Sequence, residues 1–210
     1  MRVALLGATG ESGLAVARVL SERGHDVTPL ARRPKAELEA LPRVRVLLGD
    51  ATDRGIIRDL LDGQDAVISA LGLTAAGSND EKVFVCTEAV RHILDEFADT
   101  EPRRLVVFST HGVNDSRDDS EYVANLWNLM GERLFDKERM EQLLFAAPDV
   151  DWTLVRCPRI IDGRGSATIT AEQGLLVHPG GSVHRELLAE FVVDALANTD
   201  LRGARLSVVG

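Results

Sequence analysis

The chain opens MRVALLGATGESG, and Gly7, Gly10 and Gly13 constrain its fold more than any other feature. An apolar run, Val3-Ala4-Leu5-Leu6, leads into these glycines. LAVARVLSERG follows, with apolar residues at helical spacing until Gly24 stops the pattern. Strand, tight turn and helix in that order open a βαβ unit. The first glycine allows the turn, the second lets a pyrophosphate approach the backbone, and the third lets helix and strand pack closely. Free N–H groups at the helix start, backed by the helix dipole, then face an anion. Gly7, Thr9, Gly10, Glu11, Ser12 and Gly13 are accordingly expected to hold a nucleotide. A glycine-rich turn without a ligand is the alternative, and the strand before and helix after weigh against it.

The rest of the chain alternates in the same way. HDVTPLARR reads as strand two, RVRVLLGD as strand three, DAVISALG as strand four, RRLVVFSTHG as strand five and DWTLVRCP as strand six. Helices are expected over IIRDLLDG, NDEKVFVCTEAVRHILDEFA, LWNLMGERLFDKERMEQLLFAA and RELLAEFVVDALAN, with ARLSVVG as a last strand. Strands separated by helices imply an α/β fold with a parallel sheet wound on both faces. Residues 1–210 suit one such domain with a substantial core. The glycine-rich stretch at about 159–185 breaks the alternation beyond strand six, on the side where such sheets bind ligands. It is expected to form a small substrate-side segment.

Charge and cysteine usage exclude several classes. Net charge is -9, with 33 Asp and Glu against 24 Lys and Arg, which disfavours nonspecific binding to nucleic acid or an anionic membrane. Cys86 and Cys157 stand alone, as fits a reducing cytoplasm, and His178 and His184 lack metal-ligand spacing, so no metal is expected. No apolar stretch approaches the ~20 residues of a membrane span. The first apolar run enters the glycine turn at once, unlike a signal peptide.

The end of strand two bears on which nucleotide is bound. An acid there hydrogen-bonds the 2′-hydroxyl of NAD, whereas arginine accommodates the 2′-phosphate of NADP. This chain has Leu30-Ala31-Arg32-Arg33-Pro34, without Asp or Glu. Paired guanidiniums suit a phosphate, so Arg32 and Arg33 favour NADP(H) over NAD(H). Asp50 and Ala51 after strand three, and Ala70, Leu71 and Gly72 after strand four, occur where a dinucleotide bound across strand ends would pass. Each of those loops is equally readable as a cap or turn.

GATGESG, ARRP, GDATD, DAVISALG, VVFSTHGV, DKERMEQLL, DWTLVRCPRIIDG and HRELLAEFVVDAL…LSVVG together resemble an atypical short-chain dehydrogenase/reductase. The branch is similar to the NAD(P)H-binding, NmrA-like group that includes flavin reductase/biliverdin reductase B. The resemblance implies a Rossmann domain, an NADP(H) cofactor and hydride transfer to a small acceptor such as a flavin or quinone. It also implies that Lys137 grips the nicotinamide ribose and lowers the pKa of a neighbour. Ser109, Thr110, Cys157, Pro158 and Arg159, at the ends of strands five and six, are the cofactor contacts expected beside it. The chain departs from the superfamily at its proton donor. The residue four before Lys137 is Arg133 where a tyrosine is usual, and His111 stands at the usual serine position.

Candidate replacements follow from chemistry. His111 titrates near neutral pH at the end of strand five and is the first candidate proton donor, against a capped or solvated residue. Tyr122, the only tyrosine, could cover the nicotinamide or simply pack. Lys137 could equally be a solvated helix residue. Arg159 could orient an anionic acceptor or contact a phosphate, and Cys157 is expected to be a small apolar filler without nucleophilic activation. Three functions compete: an NADPH-dependent reductase of a small conjugated acceptor, a non-catalytic NADP(H)-sensing protein, and an epimerase or dehydratase of a small biosynthetic intermediate. Trp127, Leu126, Met130 and Leu134 form an apolar stripe that reads as core, favouring a monomer over a dimer.

Overall fold

The computed structural model describes residues 1–72, 84–98, 104–163, 165 and 168–210. Its main sheet has the order β3-β2-β1-β4-β5-β6-β10-β8. The central strands are β1 (Arg2–Leu6), β2 (Asp26–Ala31), β4 (Ala66–Ser69), β5 (Arg104–Thr110), β6 (Trp152–Cys157) and β10 (Ala204–Val209). The edges are β3 (Leu47–Leu48) and β8 (Thr170–Glu172). Every pairing is parallel except that of β10 with β8. This is a Rossmann-like α/β fold. Its strand order reverses between β1 and β4, and the crevice above that reversal is where such sheets take ligands.

Alternating side chains explain why both faces are covered. In β1, Val3 and Leu5 enter one core while Ala4 and Leu6 enter the other. In β5, Val106 and Phe108 face the first core, and Leu105 and Val107 the second. One face packs against α1 (Glu11–Glu22) and α7 (Arg185–Ala195) through Leu14, Leu20, Leu188 and Val192. The other packs against α3 (Arg54–Leu61), α4 (Val85–Ala98) and α6 (Leu134–Phe145) through Ile57, Ile93, Met140 and Leu144. A short α2 (Ala36–Glu39) and α5 (Glu121–Met130) complete the helices among the described residues. No helix among those residues is long and apolar enough to cross a membrane. They contain no group of three or more His, Cys, Asp or Glu that could hold a metal ion.

Three expectations need correction. RVRVLLGD is not a continuous strand: β3 has only two residues, and Val44 makes a separate bridge to Val27. Pro29, which brings no N–H, falls between those two pairings, and Arg43 adopts φ 61°. The helix over 126–147 is two helices, divided at Gly131, where φ is 53° and a 3-10 turn over Gly131–Arg133 changes direction. The sheet is also not wholly parallel, because β8 runs antiparallel beside β10. The helix expected from Asn79 is described from Val85, and residues 79–83 lie outside the described residues.

The glycine-rich segment folds onto the end of the sheet. β7 (Arg159–Ile161) pairs in parallel with β9 (Ser182–His184), while β8 joins the main sheet between them in sequence. His184 N–H donates to the Gly210 carbonyl at 2.8 Å, and Gly210 N–H donates to Ser182 at 3.0 Å.

Candidate functional site

The three glycines have separate structural roles. Gly7 has φ 79°, and a Cβ there would lie 2.5 Å from the Ala70 carbonyl carbon and oxygen. It is therefore the glycine that lets β1 and β4 end side by side. A Cβ on Gly13 would lie 2.2 Å from the Gly7 oxygen, so this glycine sets how closely α1 approaches the turn. Gly10 differs, since its Cβ would meet only the Gly7 oxygen, at 3.4 Å. It caps α1 without a side-chain bond and is exposed. The N–H groups of the first helical turn lack intrahelical acceptors, as at any helix start. A cradle of open backbone donors fits a pyrophosphate.

Beside this turn a cavity of about 440 Å³ is lined by Thr9, Arg32, Arg33, Pro34 and Lys35. Lys35, which sequence reasoning missed, donates to the Thr9 carbonyl at 2.8 Å and so braces the turn. Its signal was its place one residue past ARRP. Asp50 accepts from Thr52 N–H at 2.9 Å and Thr52 Oγ1 at 2.8 Å. Those bonds, helped by the charge of Arg32, hold its carboxyl below the usual carboxylate range despite partial burial. Ala51, next in sequence, is buried.

A second cleft, of about 620 Å³, opens over the carboxyl ends of the sheet. Ala70, Leu71 and Gly72 line it from β4, Ser109 and Thr110 from β5, and Cys157, Pro158 and Arg159 from β6 and β7. Ser12 links it to the glycine turn. Apolar Leu126, Leu129 and Met130 of α5 also line it, as do Ile160 and Pro179. Leu129 is 81% exposed.

Lys137 and Tyr122 both reach this cleft. Lys137 is only 3% exposed, and its Nζ donates to the carbonyls of Leu71 at 2.7 Å and Phe108 at 2.8 Å. That leaves one ammonium proton for the cleft. The solvated-lysine alternative does not fit this burial. Tyr122 is half-buried at the start of α5, with the backbone of Arg159 in hydrogen-bond reach. Burial is the main cause that raises its pKa, so the phenol stays protonated and can donate. Burial also pushes the Cys157 thiol up to about 12 and the Cys86 thiol to about 11, which leaves both inert.

His111 is placed differently from the group facing an acceptor that its chemistry suggests. It is 1% exposed and lies outside the set of residues lining the cleft. Its Nδ1 is 2.8 Å from Ser207 Oγ, its Nε2 is buried without a partner among the described residues, and its ring is centred 5.7 Å from that of Tyr122. The histidine therefore backs the tyrosine. Burial lowers its pKa, Asp118 opposes that shift and Arg156 adds to it. A folded pKa below the unfolded value means that stability is full above about pH 6.5 and is lost as pH falls. His111→Gln is expected to flatten this part of the curve. Thermal melts of both proteins across the weakly acidic range check it; parallel curves would refute the assignment.

Behind Ser109 lies a buried ionic network that sequence reasoning missed. Ser109 Oγ donates to Glu141 Oε1 at 2.6 Å, and Glu141 is fully buried. Arg156 Nη2 reaches Glu141 Oε2 at 2.7 Å and its Nε reaches Oε1 at 3.1 Å. Arg156 also pairs with Asp115, which Arg205 contacts at 2.9 Å. Asn114 Nδ2 adds a bond to Glu141 Oε2 at 3.0 Å. Burial alone would raise the Asp115 carboxyl, but its two arginines hold it below the usual range. The available signal was Arg156 itself, a charge inside the otherwise uncharged strand WTLVRC. Arg185, also missed, bonds to Ser12 Oγ at 3.0 Å, Glu11 Oε2 at 2.8 Å and Asp162 Oδ1 at 2.8 Å.

The model of the NAD(P)H-binding family matches residues 7–199. The chain belongs to the NAD(P)H-binding family. That membership supports a nicotinamide cofactor and an oxidoreductase, and it fits the NmrA-like resemblance. Among solved structures, the NAD(P)H-binding chain is similar to ChuY, an anaerobillin reductase from Escherichia coli O157:H7. The TM-score is 0.81 at 20% identity, covering 100% of this chain and 97% of that one. It is likewise similar to a candidate NADH-flavin reductase from Streptococcus pneumoniae TIGR4, with TM-score 0.78 and 21% identity over 100% and 99% of the two chains. At these identities the likeness shows the fold alone. The Trk system potassium uptake protein TrkA of Mycobacterium tuberculosis is 38% identical over 74 residues, 34% of this chain. The match spans only 33% of that curated relative's length.

Proposed function

We propose that the protein is an NADPH-dependent reductase of a small conjugated acceptor such as a flavin or quinone. The observation that carries this reading is the cleft at the ends of β4, β5 and β6, apolar on its walls, with Lys137 fixed at its floor. Bound NADPH supplies a hydride. The glycine turn holds the pyrophosphate, and Arg32 and Arg33 take the 2′-phosphate. Lys137 orients the nicotinamide ribose with its remaining proton, and the Tyr122 phenol donates to the acceptor. The walls formed by Leu126, Leu129 and Ile160 stack a planar apolar ring and exclude water. An electron-poor acceptor needs little proton assistance, which suits a site whose usual tyrosine position is occupied by exposed Arg133.

The direct test mixes the purified protein with NADPH and FMN, riboflavin or a quinone and follows cofactor absorbance. Turnover supports the reading, and absence of turnover with all three overturns it. The exposed Arg133 also favours a second reading, a redox sensor that binds the cofactor without consuming it. Binding with differing affinities for NADP+ and NADPH, without turnover, is its signature.

Cofactor choice is tested separately. Arg32→Ala with Arg33→Ala is expected to weaken NADPH roughly 10- to 100-fold and NADH hardly at all, since only NADPH carries the extra phosphate. Fluorescence titration measures both. Equal losses for the two cofactors would rule out a 2′-phosphate role.

A further inference from the structure

Arg185 occupies a position that its own helix does not explain. It is the first residue of α7, where a cation opposes the helix dipole, and the N-cap His184 makes no side-chain cap. Yet its side chain is only 15% exposed. All of its side-chain partners lie on other elements. Nη1 reaches Ser12 Oγ at 3.0 Å, and Nη2 reaches Glu11 Oε2 and Asp162 Oδ1, each at 2.8 Å. Nε adds a second contact to Asp162 Oδ1 at 3.1 Å. Glu11 and Ser12 open α1 at the glycine turn, while Asp162 follows β7 of the acceptor-side segment.

The charges here conflict with the cradle. One guanidinium is shared between two carboxylates at the start of α1, where the backbone donors suit an anion. Both carboxylates are largely exposed, at 79% and 87%, so each pairing is weak and each acid returns to water at little cost. A phosphate offers paired oxygens to the planar guanidinium fork, which an exposed carboxylate held at one oxygen does not match.

We propose that Arg185 is a ligand of the cofactor's pyrophosphate, parked on Glu11 and Asp162 until the dinucleotide arrives. The proposal rests on the reading that the pyrophosphate lies over the glycine turn. On binding, the guanidinium exchanges its carboxylate partners for phosphate oxygens. Glu11 and Asp162 thus compete with the cofactor for one cation, and removing either competitor strengthens binding. A purely structural clamp between α1 and β7 predicts the reverse, because removing Asp162 would then loosen the site.

The experiment titrates NADPH fluorescence on the full chain for wild type, Arg185→Gln, Arg185→Lys, Asp162→Asn and the Arg185→Gln/Asp162→Asn double variant. Thermal melts of each protein without cofactor report folding. Arg185→Gln is expected to bind roughly 10- to 100-fold more weakly, with Arg185→Lys intermediate. Asp162→Asn is expected to bind several-fold more tightly, and that gain should vanish in the double variant. Wild-type affinity in Arg185→Gln, weaker binding by Asp162→Asn, or a gain that survives in the double variant would each overturn the proposal alone. If wild type itself fails to bind NADPH, the cofactor reading falls and the proposal falls with it.

Discussion

Gly13→Ala is expected to lose both stability and cofactor binding, whereas Gly10→Ala loses chiefly binding. The added methyl at Gly13 would sit 2.2 Å from the Gly7 oxygen and 2.7 Å from its carbonyl carbon. Both are backbone atoms, so no side chain can rotate away, and α1 must shift from the turn. Overpacking of this kind costs about 3 kcal/mol. At Gly10 the same methyl meets one atom at 3.4 Å, with φ at -76°, which alanine adopts freely. The loss there should be about 1 kcal/mol at most, for a poorer N-cap. The methyl would instead stand where the pyrophosphate approaches, and NADPH affinity should fall about 100-fold. Denaturant unfolding and NADPH titration on both variants separate the two effects. A Gly10→Ala protein that binds normally would place the pyrophosphate elsewhere.

Glu141→Leu should be the most destabilising single change outside the glycine turn. It removes a fully buried carboxylate and leaves Arg156, whose side chain is 3% exposed, with only Asp115 as an acidic partner among the described residues. It also takes away the acceptor of Ser109 and one bond to Asn114. Stranding a buried charge in this way costs about 3–5 kcal/mol. Replacing both partners, as Glu141→Leu with Arg156→Leu, should restore a large part of that loss. Equilibrium denaturation of the two variants is the measurement, and a Glu141→Leu loss below about 1 kcal/mol would show that water screens the pair.

Where backbone pattern decided the outcome, the fold was legible in the sequence. Alternating apolar runs identify the central strands, and the glycine spacing marks the tight turn between β1 and α1. The failures have local causes. β3 shrank because an edge strand with one neighbour can pair discontinuously around Pro29. The helix after β5 divided because helical periodicity tolerates Gly131 on paper, while its positive φ does not continue a helix. Within the candidate site, cleft-lining positions follow from strand ends, so Ala70, Ser109, Thr110 and Pro158 could be named in advance. Side-chain direction could not. His111 follows β5 just past Thr110, but its imidazole turns toward Ser207. Arg185 was hidden because its partners lie 173 and 174 residues away for Ser12 and Glu11.

Asp136 and Lys137 are neighbours in the first turn of α6, yet they act in different directions. The carboxylate of Asp136 accepts from the backbone N–H groups of Cys86 and Thr87, at 3.0 and 2.9 Å, and so holds the start of α4. Lys137 holds the ends of β4 and β5 through the carbonyls of Leu71 and Phe108. Both tasks therefore depend on the angular phase of a single helical turn. Each residue advances a helix by about 100°. A single-residue insertion between Gly131 and Asp136 would swing the two side chains off their targets together. Substitution in this turn can be tolerated one function at a time, but a change in its length cannot.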